Sequence, residues 1–204
     1  MKLIDLSLPV REGTPSYPGF PKTRLLGREG VSFPFSRATL HLSDDTLTRV
    51  EFPPLWDDPK GSIGELPPEM FSWQALCLDL GARGGEPSAI SARELEEALS
   101  RASLSLQGIG AALIYTGHSE RFFFEEDPAG YLYSFTGLGA EGALWLIEAG
   151  VSAIGIDGPS VDPFEAVGQG RFPAHELMRE RKVVGIENLA GLGPLLGRRF
   201  TLMA

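Results

Sequence analysis

The chain has 204 residues, 43% hydrophobic and 22% charged, the balance of a globular protein of one domain. A net charge of −9 excludes a nucleic-acid backbone as partner, because that partner needs a basic face. No apolar run reaches the roughly 18 residues of a membrane span, and the single cysteine, Cys77, excludes an intrachain disulfide and fits a cytoplasmic protein.

In chain order, residues 2–8 (KLIDLSL) are expected as a strand, and Asp5 inside the apolar run sets them apart from a signal peptide. Residues 11–36 are loop-rich, with PSYPGFP as an extended turn. Residues 37–42 and 46–52 alternate apolar and polar side chains and are expected as strands. On the second, alternation places Leu47, Arg49 and Glu51 on one face. A proline-rich loop with Trp56 runs from Pro53 to Pro68.

Residues 74–80 (QALCLDL) predict a buried strand. Ser91 and Glu94 form a capping box that opens a helix. Residues 111–117 are again an apolar strand, 139–150 an amphipathic helix closed by Gly150, and 152–157 a strand. Pro173 opens a short helix over PAHELMRE. Residues 183–189 and 198–203 are the last strands. Strand and helix alternate after a strand-rich first third, which predicts an α/β domain spanning 1–204 around a central mixed sheet.

Among the polar residues, Glu187 lies inside the apolar strand VVGIENL, where burial is costly unless it is paired or binds a cation. His175 stands near the preceding helix start. His41 reads as an ordinary strand residue and Cys77 as a buried hydrophobe. Asp157 and Asp162 flank GPS after a strand and are expected to fix a turn at a pocket rim. Ser160 has no histidine at a nucleophile's spacing. Phe20, Phe33, Phe35 and Trp56 are candidates for an aromatic wall or a subunit interface.

Taken together, IDLSLPV with YPG, ISARELE, YTGH at 115–118, TGLGAEGALWLIEAGVSAIGIDGPSVDP, FPAHELM and IENLAGL span nearly the whole chain. Their order resembles the putative cyclase family of metal-dependent hydrolases, which includes bacterial kynurenine formamidase (arylformamidase) of tryptophan catabolism. The resemblance implies a cyclase-like fold of the β/β/α swivelling type, with helices flanking the sheet, and a homodimer or homotetramer to which residues 11–36 contribute contacts. It also implies hydrolysis of N-formylkynurenine or of a cyclic amide or ester, with a small molecule as partner.

The family's HxGTHxDxPxH motif falls on DTLTRVEFPPL, residues 45–55. Thr48 and Pro53 match. Asp45 stands for the first histidine, Leu47 for the glycine, Arg49 for the second histidine, Glu51 for the aspartate and Leu55 for the last histidine. The distal ligand positions, His175 and Glu187, are kept, twelve residues apart. The resemblance thus assigns Asp45, Glu51, His175 and Glu187 to a metal and none to an organic cofactor. Three oxygens and one imidazole lean toward manganese or magnesium over zinc.

Arg49 cannot ligate, because its guanidinium keeps its proton and has no free lone pair. It is expected to pair with Glu187 or Asp45, as resident cation in the metal's place or as binder of an oxyanion or carboxylate. Asp45, Glu51 and Glu187 against Arg49 leave two negative charges to be solvated, protonated or met by a cation. Leu55 cannot shuttle a proton. His118 is the stand-in by residue type, or else lines the pocket or caps the following segment. Three readings follow. The first is a metal-dependent hydrolase. The second is a non-catalytic relative in which Arg49 replaces the metal and the protein binds a small anion or serves as a structural or regulatory partner. The third is a metal-free enzyme with Glu51 or Glu187 as general base and Arg49 as electrophile.

Overall fold

The computed structural model describes residues 2–17, 19–27, 38–55, 61–83 and 87–204. Ten strands are present among these: β1 Arg24–Gly27, β2 Ala38–His41, β3 Arg49–Glu51, β4 Ser72–Asp79, β5 Ala89–Ile90, β6 Ala111–Tyr115, β7 Gly137–Leu138, β8 Ala153–Ile156, β9 Val184–Glu187 and β10 Arg199–Met203. The helices are α1 Ala92–Ala102, α2 Pro128–Tyr133, α3 Ala140–Glu148, α4 Phe164–Val167 and α5 Pro173–Arg181.

Six strands form the central sheet in the order β10-β4-β6-β8-β9-β3. The inner four pair in parallel, while β10 and β3 run antiparallel at the two edges. The expected mixed sheet is therefore present. Strands β6 (AALIY) and β8 (AIGI) are almost wholly apolar and almost wholly buried, as parallel strands covered on both faces must be. Alternation divides their neighbour β4. Leu76 and Leu78 face a layer built with Leu95 and Leu99 of α1, Leu146 of α3 and Met178 of α5. Trp73, Ala75 and Cys77 face the opposite layer, which Leu189, Leu192 and Leu195 close together with Ile4 and Leu6.

The helix boundaries have local causes. Ser91 accepts from the Glu94 N–H while Glu94 reaches back to the Ser91 N–H, so the capping box is formed. Ser103 ends α1 in the left-handed region. Pro173 occupies the first turn of α5.

Three expectations change. Residues 2–8 are extended but form no ladder. One bridge, Ser7 to Leu189, and the Ala190 N–H donated to Leu6 O hold them along the chain that leaves β9. Residues 46–52 pair only over Arg49–Glu51, because Leu47 adopts φ +66 and leaves the extended region. Leu47 therefore does not share a strand face with Arg49 and Glu51. It packs instead beside Leu8, Phe123 and Tyr131. Finally, the loop-rich 11–36 segment contains β1, which pairs antiparallel with β2. Phe33, Phe35 and Trp56 lie outside the described residues.

Candidate active site

The antiparallel register of β3 on β9 sets Arg49 directly opposite Glu187, at the carboxyl end of the parallel strands. Open α/β sheets hold their ligands at that end. Arg49 donates from Nε to Glu51 Oε1 at 2.5 Å and from Nη2 to Glu187 Oε2 and to Pro159 O at 3.3 Å, and its Nη2 forms an ion pair with Asp45 Oδ1 at 2.7 Å. The pairing expected with Glu187 or Asp45 is thus made with both, and with Glu51 as well. These carboxylates hold Arg49 above its ordinary value against the cost of its burial, so its charge is permanent.

Arg49 takes one oxygen of each glutamate. The other two oxygens face His175: its Nε2 lies 3.2 Å from Glu51 Oε2 and 3.4 Å from Glu187 Oε1. Its Nδ1 lies 2.5 Å from Asp162 Oδ2. Asp162 also accepts the N–H groups of Ala174 (2.6 Å) and His175 (3.4 Å), so it caps the start of α5 and aims the imidazole together. Burial alone would lower His175. The hydrogen bonds from Asp162 and then Glu51 outweigh it and push the imidazole up to about 10. Burial raises the fully buried Glu187, whereas His175 and then Arg49 hold Glu51 low against its own burial.

One atom each of Glu51, His175 and Glu187 lie within 4.8 Å of one another, so the three could hold a metal ion. One imidazole and two carboxylates are a donor set that would fit a divalent cation. The carboxylate behind Nδ1 is the usual partner of a ligating histidine. Asp45 is not in this group. It reaches the cluster through Arg49, and burial raises its affinity for a proton.

The cluster floors a cavity of about 770 Å³. Phe20, Phe52, Leu55, Ile63, Val167 and Phe172 wall it, and Tyr17 lines it as well. Burial, and after it Glu187, pushes the Tyr17 phenol up, so it stays a protonated donor.

His118 is not brought to this cavity. It is 3% exposed, packs on Phe122 and Tyr131, and its Nε2 bonds Tyr131 O at 2.9 Å. Burial lowers it to about 4, so it is neutral. Asp157 is not at a rim either. It is buried, accepts from the Thr116 N–H and hydroxyl and from the His118 N–H, and burial pushes it up to about 6. His41 is exposed and Cys77 fully buried. Thr48, kept from the motif, accepts the Leu8 N–H at 2.7 Å and donates to Asn188 O at 2.5 Å, tying the N-terminal segment to the end of β9.

Sequence reasoning missed Asp162 and Tyr17 as parts of the site. Asp162 precedes His175 by 13 residues, a separation with no local periodicity. Its one signal was a carboxylate in an otherwise apolar segment after a buried strand. Tyr17 gave none beyond YPG.

The profile of the putative cyclase family matches residues 4–163. No curated protein matches the sequence. Among solved structures, an isatin hydrolase bound to the product analogue thioisatinate superposes with a TM-score of 0.82 at 19% identity, over 98% of this chain and 84% of its own. Isatin hydrolase A from Ralstonia solanacearum gives 0.77 at 22%, over 96% and 81%. A predicted metal-dependent hydrolase from Bacillus stearothermophilus gives 0.69 at 19%, over 97% and 86%. At these identities the likeness establishes the fold.

Proposed function

Because the chain belongs to the putative cyclase family, we propose that its cavity hydrolyses a C–N amide or cyclic amide or ester bond in a small aryl molecule, with a divalent cation held by Glu51, His175 and Glu187. The convergence of those three side chains on the floor of an aromatic-walled cavity carries this reading. N-formylkynurenine is one substrate of this class. Isatin, named in the structural neighbours, is another: a flat cyclic amide that suits walls made by Phe20, Phe52 and Phe172.

The chain's own groups divide the work. Arg49 supplies a hydrogen-bond donor, Nη1, toward the carbonyl oxygen on which negative charge develops. Asp162 holds Nδ1 of His175 and so presents Nε2 to the site. Asp45 borders the cavity but is not among the three donors, and its raised proton affinity suits it to take a proton from water. Leu55 leaves the wall apolar where the family motif has a histidine. A bound cation would add Lewis acidity toward the carbonyl.

The test is metal content by mass spectrometry after incubation with manganese or zinc, followed by turnover of N-formylkynurenine and isatin with and without chelator. A stoichiometric cation, lost in Glu187→Gln, and chelator-sensitive turnover are expected. Metal-free protein with no turnover would sink the reading. The second reading would then stand, and one observation already favours it: Arg49 pairs with Asp45, Glu51 and Glu187 together. Arg49 is then the resident cation and the cavity only binds.

A further inference from the structure

Two hydrogen-bond donors of the cavity lining have no partner among the described residues: the Tyr17 hydroxyl and Arg49 Nη1, both buried. Such groups are rare in folded proteins, because each forfeits about 1–3 kcal/mol when left unmade. Nη1 is donor-only, and the Tyr17 phenol keeps its proton. What both lack is an acceptor.

The charge around them decides which acceptor. Among the described residues, Asp45, Glu51, Asp162 and Glu187 pair with two cationic groups, Arg49 and His175. On these residues the floor carries more carboxylates than cations. Arg49's charge is already spent on three carboxylates, so a ligand carboxylate would meet repulsion that its two hydrogen bonds would have to overcome. A neutral carbonyl oxygen accepts the same two bonds without that cost.

We infer that Tyr17 and Arg49 together form a carbonyl-binding end of the cavity that selects neutral amides, lactams or esters and rejects the corresponding carboxylates. This rests on the hydrolase reading for the substrate class and deepens it. Hydrolysis turns a neutral carbonyl compound into a carboxylate, so the same charge arrangement that admits the substrate expels the acid product. It also replaces the small-anion ligand expected from Arg49 alone.

Equilibrium binding of formanilide, oxindole and benzoate, measured by calorimetry with and without chelator, tests the inference independently of turnover. Formanilide and oxindole are expected to bind at least about ten-fold more tightly than benzoate, with or without chelator. Tyr17→Phe should weaken them about ten-fold and leave benzoate unchanged. The thermal midpoint of Tyr17→Phe should be equal or higher, because a hydroxyl without a partner has been removed; a structural hydroxyl would lower it. Benzoate binding as tightly as formanilide, Tyr17→Phe affinity within two-fold of the parent, binding abolished by chelator, or no binding of any of the three would each overturn it. Neutral-selective binding without turnover would leave this inference standing and count against the hydrolase reading alone.

Discussion

At His118 the imidazole is neutral in the fold, lowered by burial to about 4 from the ordinary 6.5. A base depressed in this way contributes stability that is present above about 6.5 and is lost as pH falls through 4. The neighbouring Asp157 acts oppositely: raised to about 6 from 3.8, its contribution is present below 3.8 and lost as pH rises through 6. The two offset each other in the parent protein, so the variant must be compared with it at both ends. His118→Gln keeps a donor for Tyr131 O but cannot take up a proton. It should therefore lose less stability between pH 7 and 4 than the parent, by on the order of 2–3 kcal/mol, read from denaturant midpoints at each pH. An equal loss would mean that His118 is protonated in the fold. Thr48 allows a simpler test. Thr48→Val keeps its shape and deletes both hydrogen bonds, so a cost of about 2 kcal/mol is expected in urea unfolding.

Between elements, the site depends on backbone placement that no single segment carries. Strand β7 approaches the loop after β8 so closely that a Cβ added at Gly137 would lie 2.3 Å from the backbone carbonyl carbon of Asp162. That contact involves backbone and cannot be relieved by a rotamer change. Gly137→Ala should destabilise the protein by at least about 2 kcal/mol and shift Asp162, which both caps α5 and orients His175. The readout is weaker metal uptake together with a lower unfolding midpoint. Unchanged values for both would show that the loop yields freely. The β3 end of the site has its own constraint. Leu47 holds φ +66 where the family motif has glycine, a conformation that costs a non-glycine residue about 1 kcal/mol. Its burial beside Leu8 and Tyr131 offsets that cost.

For the whole molecule, Cys77 lies in β4 between β10 and β6 and is 0% exposed, and burial raises its thiol. Reaching it requires the sheet to open. Thiol labelling of the native protein should therefore be slower than in denaturant by at least about a thousand-fold, and should follow global unfolding. Fast labelling of otherwise native protein would reveal local opening of the layer closed by Ile4, Leu6 and Leu195. No helix is long and apolar enough to cross a membrane among the described residues.

The strands β4, β6, β8 and β9 and the helices α1, α3 and α5 were legible in the sequence because their cause is local: apolar runs, a capping box, a proline in a first turn. So was the presence of an unusual charge set, since Glu187 stands inside an apolar strand and Arg49 falls where the family motif has a histidine. The tertiary structure decided everything that depends on register and long-range approach. It shortened the 46–52 strand, because Leu47 trades extended backbone for burial. It placed Arg49 across from Glu187, drew Asp162 onto His175 over 13 residues, and set Tyr17 at the cavity. It also kept His118 away from the chemistry that its residue type suggested. Residue types determine which charges can meet, but only the folded chain fixes which oxygen of each carboxylate is used and which donors are left without a partner.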